Sequence, residues 1–160
     1  MNGSMLEIGL SSIYLGDDLV PNLTADLSRD PEATENRTAA RPRVLVVDDE
    51  KLIADTCAEI LEHAGFHAMT AYDGLAAMDI AVEFQPDYLL TDVLMPRLNG
   101  VELAIYVTKM LPNTRVLLFS GQAGISEILL NGYEQGYEFE LLAKPVHPVK
   151  LIERLRKQQS

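Results

Sequence analysis

From Arg43 onward the sequence switches back and forth between two periods, and that alternation limits the available folds more than any other feature. Short β-rich runs are Val44–Val47, His67–Tyr72, Tyr88–Thr91, Val116–Phe119 and Glu140–Ala143. Helix-like segments come after them at Lys51–Ala64, Gly74–Phe84, Gly100–Met110, Ile125–Tyr133 and Pro148–Lys157. In the first of these, Ile53, Cys57, Ile60, Leu61 and Ala64 recur at helical spacing and draw one apolar stripe, with Gly65 as a stop. Turn chemistry stands at the joints, in Asp73-Gly74, Gln85-Pro86-Asp87, Asn99-Gly100 and Leu111-Pro112-Asn113. Strand then helix, five times over, predicts a five-stranded parallel sheet with helices on both faces. Parallel strands need crossover helices, and those crossovers are right-handed. In such sheets ligands bind beyond the carboxyl ends of the strands, so the chemistry is to be sought just after each apolar run.

Those positions are unusual. The first run, VLVVDDEK, drives straight into Asp48 and Asp49. The third, YLLTDVLMPRLNG, ends in Asp92, the fourth, VLLFSG, in Ser120, and the fifth, ELLAKPV, in Lys144. The second contributes no group of this kind. Each residue alone has a plain explanation: an Asp after a strand caps a helix, Thr91-Asp92 starts a turn, Ser120-Gly121 is turn chemistry, and Lys144 is a solvated lysine. Five such residues at the matching ends of four strands are poorly explained that way. Three carboxylates in one crevice repel one another and need a cation. Hard oxygen donors suit Mg²⁺, which takes one or two carboxylates together with waters and a phosphate. The set reads as a metal site with one carboxylate left free to react.

Taken together, VLVVDDE, TDVLMPRLNG, LLFSG and LLAKPV, in that order, make residues 43–157 resemble the receiver domain of two-component response regulators. The resemblance implies a flavodoxin-like doubly wound sheet with strand order 2-1-3-4-5. It implies that Asp92 is a phosphoacceptor served by a sensor histidine kinase or phosphotransfer protein. Asp49, Asp92 and the backbone carbonyl of Leu94 would hold Mg²⁺ directly, and Asp48 through water. Lys144 would pair with phosphoryl oxygens, Ser120 would hydrogen-bond to them, and Lys144-Pro145 would be a cis peptide. Phosphoryl transfer asks mainly for positioning and charge neutralisation, which such a set supplies. The chain also departs from the family pattern. An aromatic residue usually stands three positions before the lysine, where this chain has Leu141; Phe139 lies five before it, and the segment Gly136–Ala143 is slightly long. Phe139 is either a substitute for that ring or an ordinary core residue.

Composition bounds the rest. A net charge of −11 argues against a nucleic-acid partner. One cysteine, Cys57, excludes an internal disulfide framework and reads as helix packing. No apolar run is long enough to span a membrane and no secretory signal is evident, so a cytoplasmic location is expected. Residues 1–41 read as an extension and linker, largely disordered, with a weakly apolar patch at Met5–Leu23; residues 42–160 read as the receiver domain. No output domain comes after the last helix, which predicts a single-domain regulator acting on an unidentified downstream protein or in a phosphorelay. It would be no enzyme beyond its own phosphotransfer and autodephosphorylation. A phosphatase of similar fold would need an acid at Leu94, and a flavin site would need a phosphate loop after the first strand. The competing reading is a receiver-like interaction module that works without phosphorylation. His63, His67 and His147 read as structural or surface residues.

Overall fold

Along an extended chain successive side chains point to opposite faces, so a strand with four apolar residues in a row must be covered on both sides. Val44, Leu45, Val46 and Val47 are all buried, and the fold is built around them. The computed structural model describes residues 40–121 and 124–159; residues 1–39, with the Met5–Leu23 patch, lie outside the described residues. The elements are β1 (Arg43–Val47), α1 (Lys51–His63), β2 (His67–Ala71), α2 (Gly74–Phe84), β3 (Tyr88–Asp92), α3 (Gly100–Met110), β4 (Arg115–Ser120), α4 (Ser126–Glu134), β5 (Glu140–Ala143) and α5 (Pro148–Gln159). The sheet is parallel throughout, in the order β2-β1-β3-β4-β5. This is the doubly wound architecture expected from the alternation.

The two faces divide by residue parity. Val44, Val46, Tyr88, Leu90, Leu117 and Phe119 face α1 and α5, which bring Ala54, Ala58, Leu61, Leu151 and Leu155. Leu45, Val47 and Leu89 face α2 and α3, which bring Ala77, Ala81, Leu103 and Val107. Each fully buried Val or Leu contributes on the order of 2 kcal/mol, so β1 is the most strongly held element. Turn residues act as expected: Asp73 accepts from the Ala76 amide at 2.8 Å, and Asn99 forms a capping box with Glu102. Gly65 takes φ +98° after α1. Among the described residues no helix is long and apolar enough to cross a membrane.

The expected stripe on α1 is rotated. Ala54, Ala58 and Leu61 are its buried residues, while Ile53 is 41% exposed and Cys57, Ile60 and Ala64 are half-buried. The small Ala54 and Ala58 let the helix sit close to the sheet, which turns the bulkier Leu52 and Ile53 toward solvent. At the other end of α1, Glu62 gathers contacts that tie the helix to β2 and to the chain entering the domain. Its carboxylate accepts from the Ala68 amide at 2.7 Å and pairs with Arg41 at 2.8 Å. Arg41 also donates to the carbonyls of Glu62 and Phe66. The Ala68 amide above all, then the Arg41 and His67 side chains, lower the Glu62 pKa to about 2. A depressed carboxylate stabilises the fold above its unfolded value and loses that contribution as pH falls. Glu62→Gln should therefore cost about 1 kcal/mol at neutral pH, trimmed by solvent screening. The deficit should shrink as pH falls from about 4.5 toward 2. Urea titrations of both proteins at pH 7 and pH 3 measure it.

Candidate functional site

The crevice at the carboxyl edge of the sheet lies where β1, β3, β4 and β5 end. Asp48 leaves β1 with its amide bound to the Ala71 carbonyl and its side chain only 2% exposed. Its Oδ1 accepts from the Glu50 amide at 2.9 Å, and Glu50, the N-cap of α1, has no side-chain cap bond. The helix-capping explanation of Asp48 and Asp49 therefore fails: neither carboxylate caps α1. Asp49 is exposed at the rim. Asp92 closes β3, its side chain 13% exposed. Oxygens of Asp48, Asp49 and Asp92 lie within 4.8 Å of one another.

Backbone contacts hold Asp92 in place. The Val93 amide donates to the Phe119 carbonyl at 2.9 Å, and the Thr91 hydroxyl donates to the Asp92 carbonyl at 3.0 Å. Thr91 is a supporting residue that sequence reasoning misses; its hydroxyl is fully buried beside Asp92. Gly100 begins α3 against the same carbonyl, where an added Cβ would stand 2.0 Å from the Asp92 oxygen. No side chain fits there, so Asn99-Gly100 brings α3 up to the site as well as capping it. Ser120 ends β4 and is 7% exposed. The Lys144 amide donates to the Ser120 carbonyl at 2.9 Å, and the Lys144-Pro145 peptide is cis. Gly121 clears space for Lys144, since a Cβ there would lie 3.2 Å from the Lys144 Cβ. Leu94 sits half-buried in the loop after Asp92.

Lys144 is the cation of the site. Its Nζ lies 2.7 Å from Asp48 Oδ2 and 3.4 Å from Asp92 Oδ2. Burial by itself would lower its pKa, but the bond to Asp48 and the charges of Asp92 and Asp48 together raise it. The Asp92 pKa is also raised, first by burial; Lys144 opposes this, and the nearby Asp48 and Asp49 charges add to it. Three carboxylates against one ammonium leave the crevice two negative charges in excess. The all-oxygen donor set and that excess fit a hard divalent cation.

Raising the pKa of an acid on folding favours its neutral form. The charged Asp92 carboxylate thus weakens the metal-free protein, and the penalty grows as pH rises through its folded value. Asp92→Asn should accordingly melt higher than wild type in chelator-treated buffer at pH 7, with the gain gone near pH 3. Thermal scans at both pH values check this.

Tyr72, at the end of β2, stays out of the acidic set and braces α1 instead. Its hydroxyl donates to Asp55 at 2.6 Å, and the Lys51 Nζ stands 4.9 Å from the ring centroid. Cys57 is packed beside the core, its thiol pushed up to about 12 by burial, with Asp48 adding and Lys144 opposing. Such a thiol is unreactive. His67 lies beside Glu62, and His147 accepts from the Val149 amide at 3.3 Å. Neither joins the acidic cluster.

Residues 44–156 match the family described as the response regulator receiver domain. The response regulator MprA of Mycobacterium avium (strain 104) is 31% identical over 114 residues, which are 71% of this chain and 49% of that protein. The chain thus spans about half the length of the curated relatives it matches. A CheY-like receiver domain from Methanospirillum hungatei JF-1 superposes with a TM-score of 0.66 at 26% identity, covering 74% of this chain and 94% of that one. A Francisella receiver domain gives a TM-score of 0.62 at 30% identity, covering 75% and 100%. The chain belongs to the receiver-domain family of two-component response regulators.

Proposed function

We propose that this receiver takes a phosphoryl group onto Asp92 from a phosphohistidine of a sensor kinase or phosphotransfer protein, in a Mg²⁺-dependent reaction. The observation that carries the reading is the meeting of Asp48, Asp49, Asp92 and Lys144 at the ends of β1, β3 and β5. An Asp92 carboxylate oxygen attacks phosphorus; the new P–O bond forms as the P–N bond breaks, and the leaving imidazole takes up a proton. Lys144 balances charge on the phosphoryl oxygens, and the Ser120 hydroxyl donates to one of them. Asp49, Asp92 and the Leu94 carbonyl would hold Mg²⁺ directly and Asp48 through water. When bound, the ion neutralises the carboxylates and phosphoryl oxygens so that acceptor and donor can approach.

Beside the crevice runs a groove of about 630 Å³ whose lining includes Leu52, Ile53, Cys57, Lys144 and Pro145. Leu52, 80% exposed at its mouth, suits the apolar side of a docking partner that presents the histidine. We assign the output of this unit to contact with a downstream protein or to onward phosphotransfer, in the cytoplasm. The chain would catalyse only its own phosphotransfer and autodephosphorylation. The charge of −11 disfavours a nucleic-acid partner. The second reading, an interaction module independent of phosphorylation, draws on Leu141, which is 40% exposed in place of an aromatic ring. Incubation with a small-molecule phosphodonor separates the two. Incorporation of one phosphoryl group per chain with Mg²⁺, and none with chelator, is expected; no incorporation in either buffer favours the module.

A further inference from the structure

β2 brings no acid to the crevice, but the turn that leaves it, Asp73-Gly74, meets the loop on which the site depends. That loop, residues 93–99, joins Asp92 to α3 and carries the Leu94 carbonyl. Its ends are fixed. The Val93 amide donates to the Phe119 carbonyl at 2.9 Å, and the Gly100 amide closes back on the Val93 carbonyl at 2.9 Å. Its middle needs anchors of its own, as surface loops do. Met95, 8% exposed, dips into the cluster of Leu45, Val47 and Ala71, and Leu98 packs on the same cluster. Between them Arg97 takes φ +69°, a conformation that residues with a side chain seldom adopt. Such a backbone persists only where its surroundings hold it.

Two contacts from the start of α2 hold it, and they are unequal. The Arg97 guanidinium stands 3.6 Å from Asp73 Oδ2 with the arginine side chain 63% exposed, so that pair contributes little. Leu98 against Gly74 is the firm contact. Gly74 is buried at the first position of α2, and a Cβ built on it would stand 2.8 Å from Leu98 Cδ2 and 2.9 Å from Leu98 Cβ. A methyl end can swing aside, whereas Cβ moves only with the loop backbone. Asp73 keeps Gly74 in place, because its Oδ1 caps α2 through the Ala76 amide at 2.8 Å.

We propose that the Leu98–Gly74 contact is a positioning element for the metal site, holding the loop so that the Leu94 carbonyl is already in place for a divalent cation beside Asp49 and Asp92. This rests on the Mg²⁺ reading of the crevice. A loop held in its binding shape loses little further freedom when the ion arrives, so loosening it weakens binding without touching a ligand. Residues that orient a metal's ligands typically carry about tenfold to a hundredfold of its affinity.

Mg²⁺ titrations of the full chain, followed by amide chemical shifts, test this. Wild type should bind, and Leu98→Ala and Gly74→Ala should each raise the Mg²⁺ Kd by about tenfold or more. In metal-free buffer both should also speed hydrogen exchange of the Gly100 amide, which closes the loop. Leu98→Met keeps a long side chain on Gly74 and should bind as wild type. Val107→Ala opens a cavity in the same cluster toward the far end of α3, so it should lower stability and leave the Kd unchanged. An unchanged Kd in Leu98→Ala, or an equal rise in Val107→Ala, overturns the proposal, and Leu98→Ala decides even where Gly74→Ala fails to fold. No Mg²⁺ binding by wild type overturns the metal reading of the crevice itself, and the proposal with it.

Discussion

Asp49→Ala should lower the rate of Mg²⁺-dependent phosphoryl incorporation by at least about 10²-fold, the usual loss when a transition-state charge stabiliser is removed. Asp49 is exposed and caps no helix, so little of the fold depends on it. Its carboxylate is nonetheless one of three within 4.8 Å, and it is the most open of them to an incoming ion. Without it the crevice holds two carboxylates against one ammonium, which leaves one excess negative charge and one direct oxygen ligand fewer. The same change relieves repulsion in metal-free buffer, so the variant should melt no lower than wild type there and respond less to added Mg²⁺. Loss of phosphorylation with stability preserved separates a site defect from a folding defect. A wild-type rate in Asp49→Ala would remove Asp49 from the metal site.

Lys144→Ala should be the most destabilising single change at the site, costing about 3–5 kcal/mol in metal-free buffer, as removing one partner of a buried ion pair does. Its ammonium is the cation 2.7 Å from Asp48, whose side chain is 2% exposed. With the lysine gone, a nearly buried carboxylate faces Asp92 across the crevice and both lose their cationic partner, the Glu50 amide still donating to Asp48. Because the Lys144 pKa is raised on folding, its contribution holds through neutral pH and fades as pH climbs through the folded value. The gap between wild type and variant should therefore narrow in strong alkali. Mg²⁺ should restore part of the loss by supplying a replacement charge. Urea unfolding at neutral pH gives the number; a cost below about 1 kcal/mol would place Lys144 among ordinary surface ion pairs.

How much of the fold and site is legible in the sequence depends on where each residue's partners lie. The strands can be read because Val44–Val47 and Tyr88–Leu90 are buried on both faces, and α2 and α3 because Asp73 and Asn99 cap them locally. The acidic set can be read because strand ends in a parallel sheet converge whatever the loops do. The buried face of α1 cannot, since the choice between Ile53–Cys57 and Ala54–Ala58 turns on how closely the helix approaches the sheet, a tertiary quantity. Arg41 reads as linker because its partners, Glu62 and Phe66, are more than twenty residues away. The anchoring of α4 is equally hidden. Its helical pattern is plain, but only the packed structure shows that Gly132 sets its distance from α3 and that Tyr137 and Phe139 stack.

The identity of the phosphorylated residue is the most direct test of Asp92 as the acceptor. An acyl phosphate on a carboxylate is reduced by borohydride to the corresponding alcohol, which marks the residue permanently. Wild-type protein treated with a small-molecule phosphodonor and Mg²⁺, reduced, digested and sequenced by tandem mass spectrometry should carry the mark at Asp92. Asp92→Asn should carry none there. A mark at Asp48 or Asp49 in the wild type, or no mark at all, would contradict the assignment of Asp92 as the acceptor.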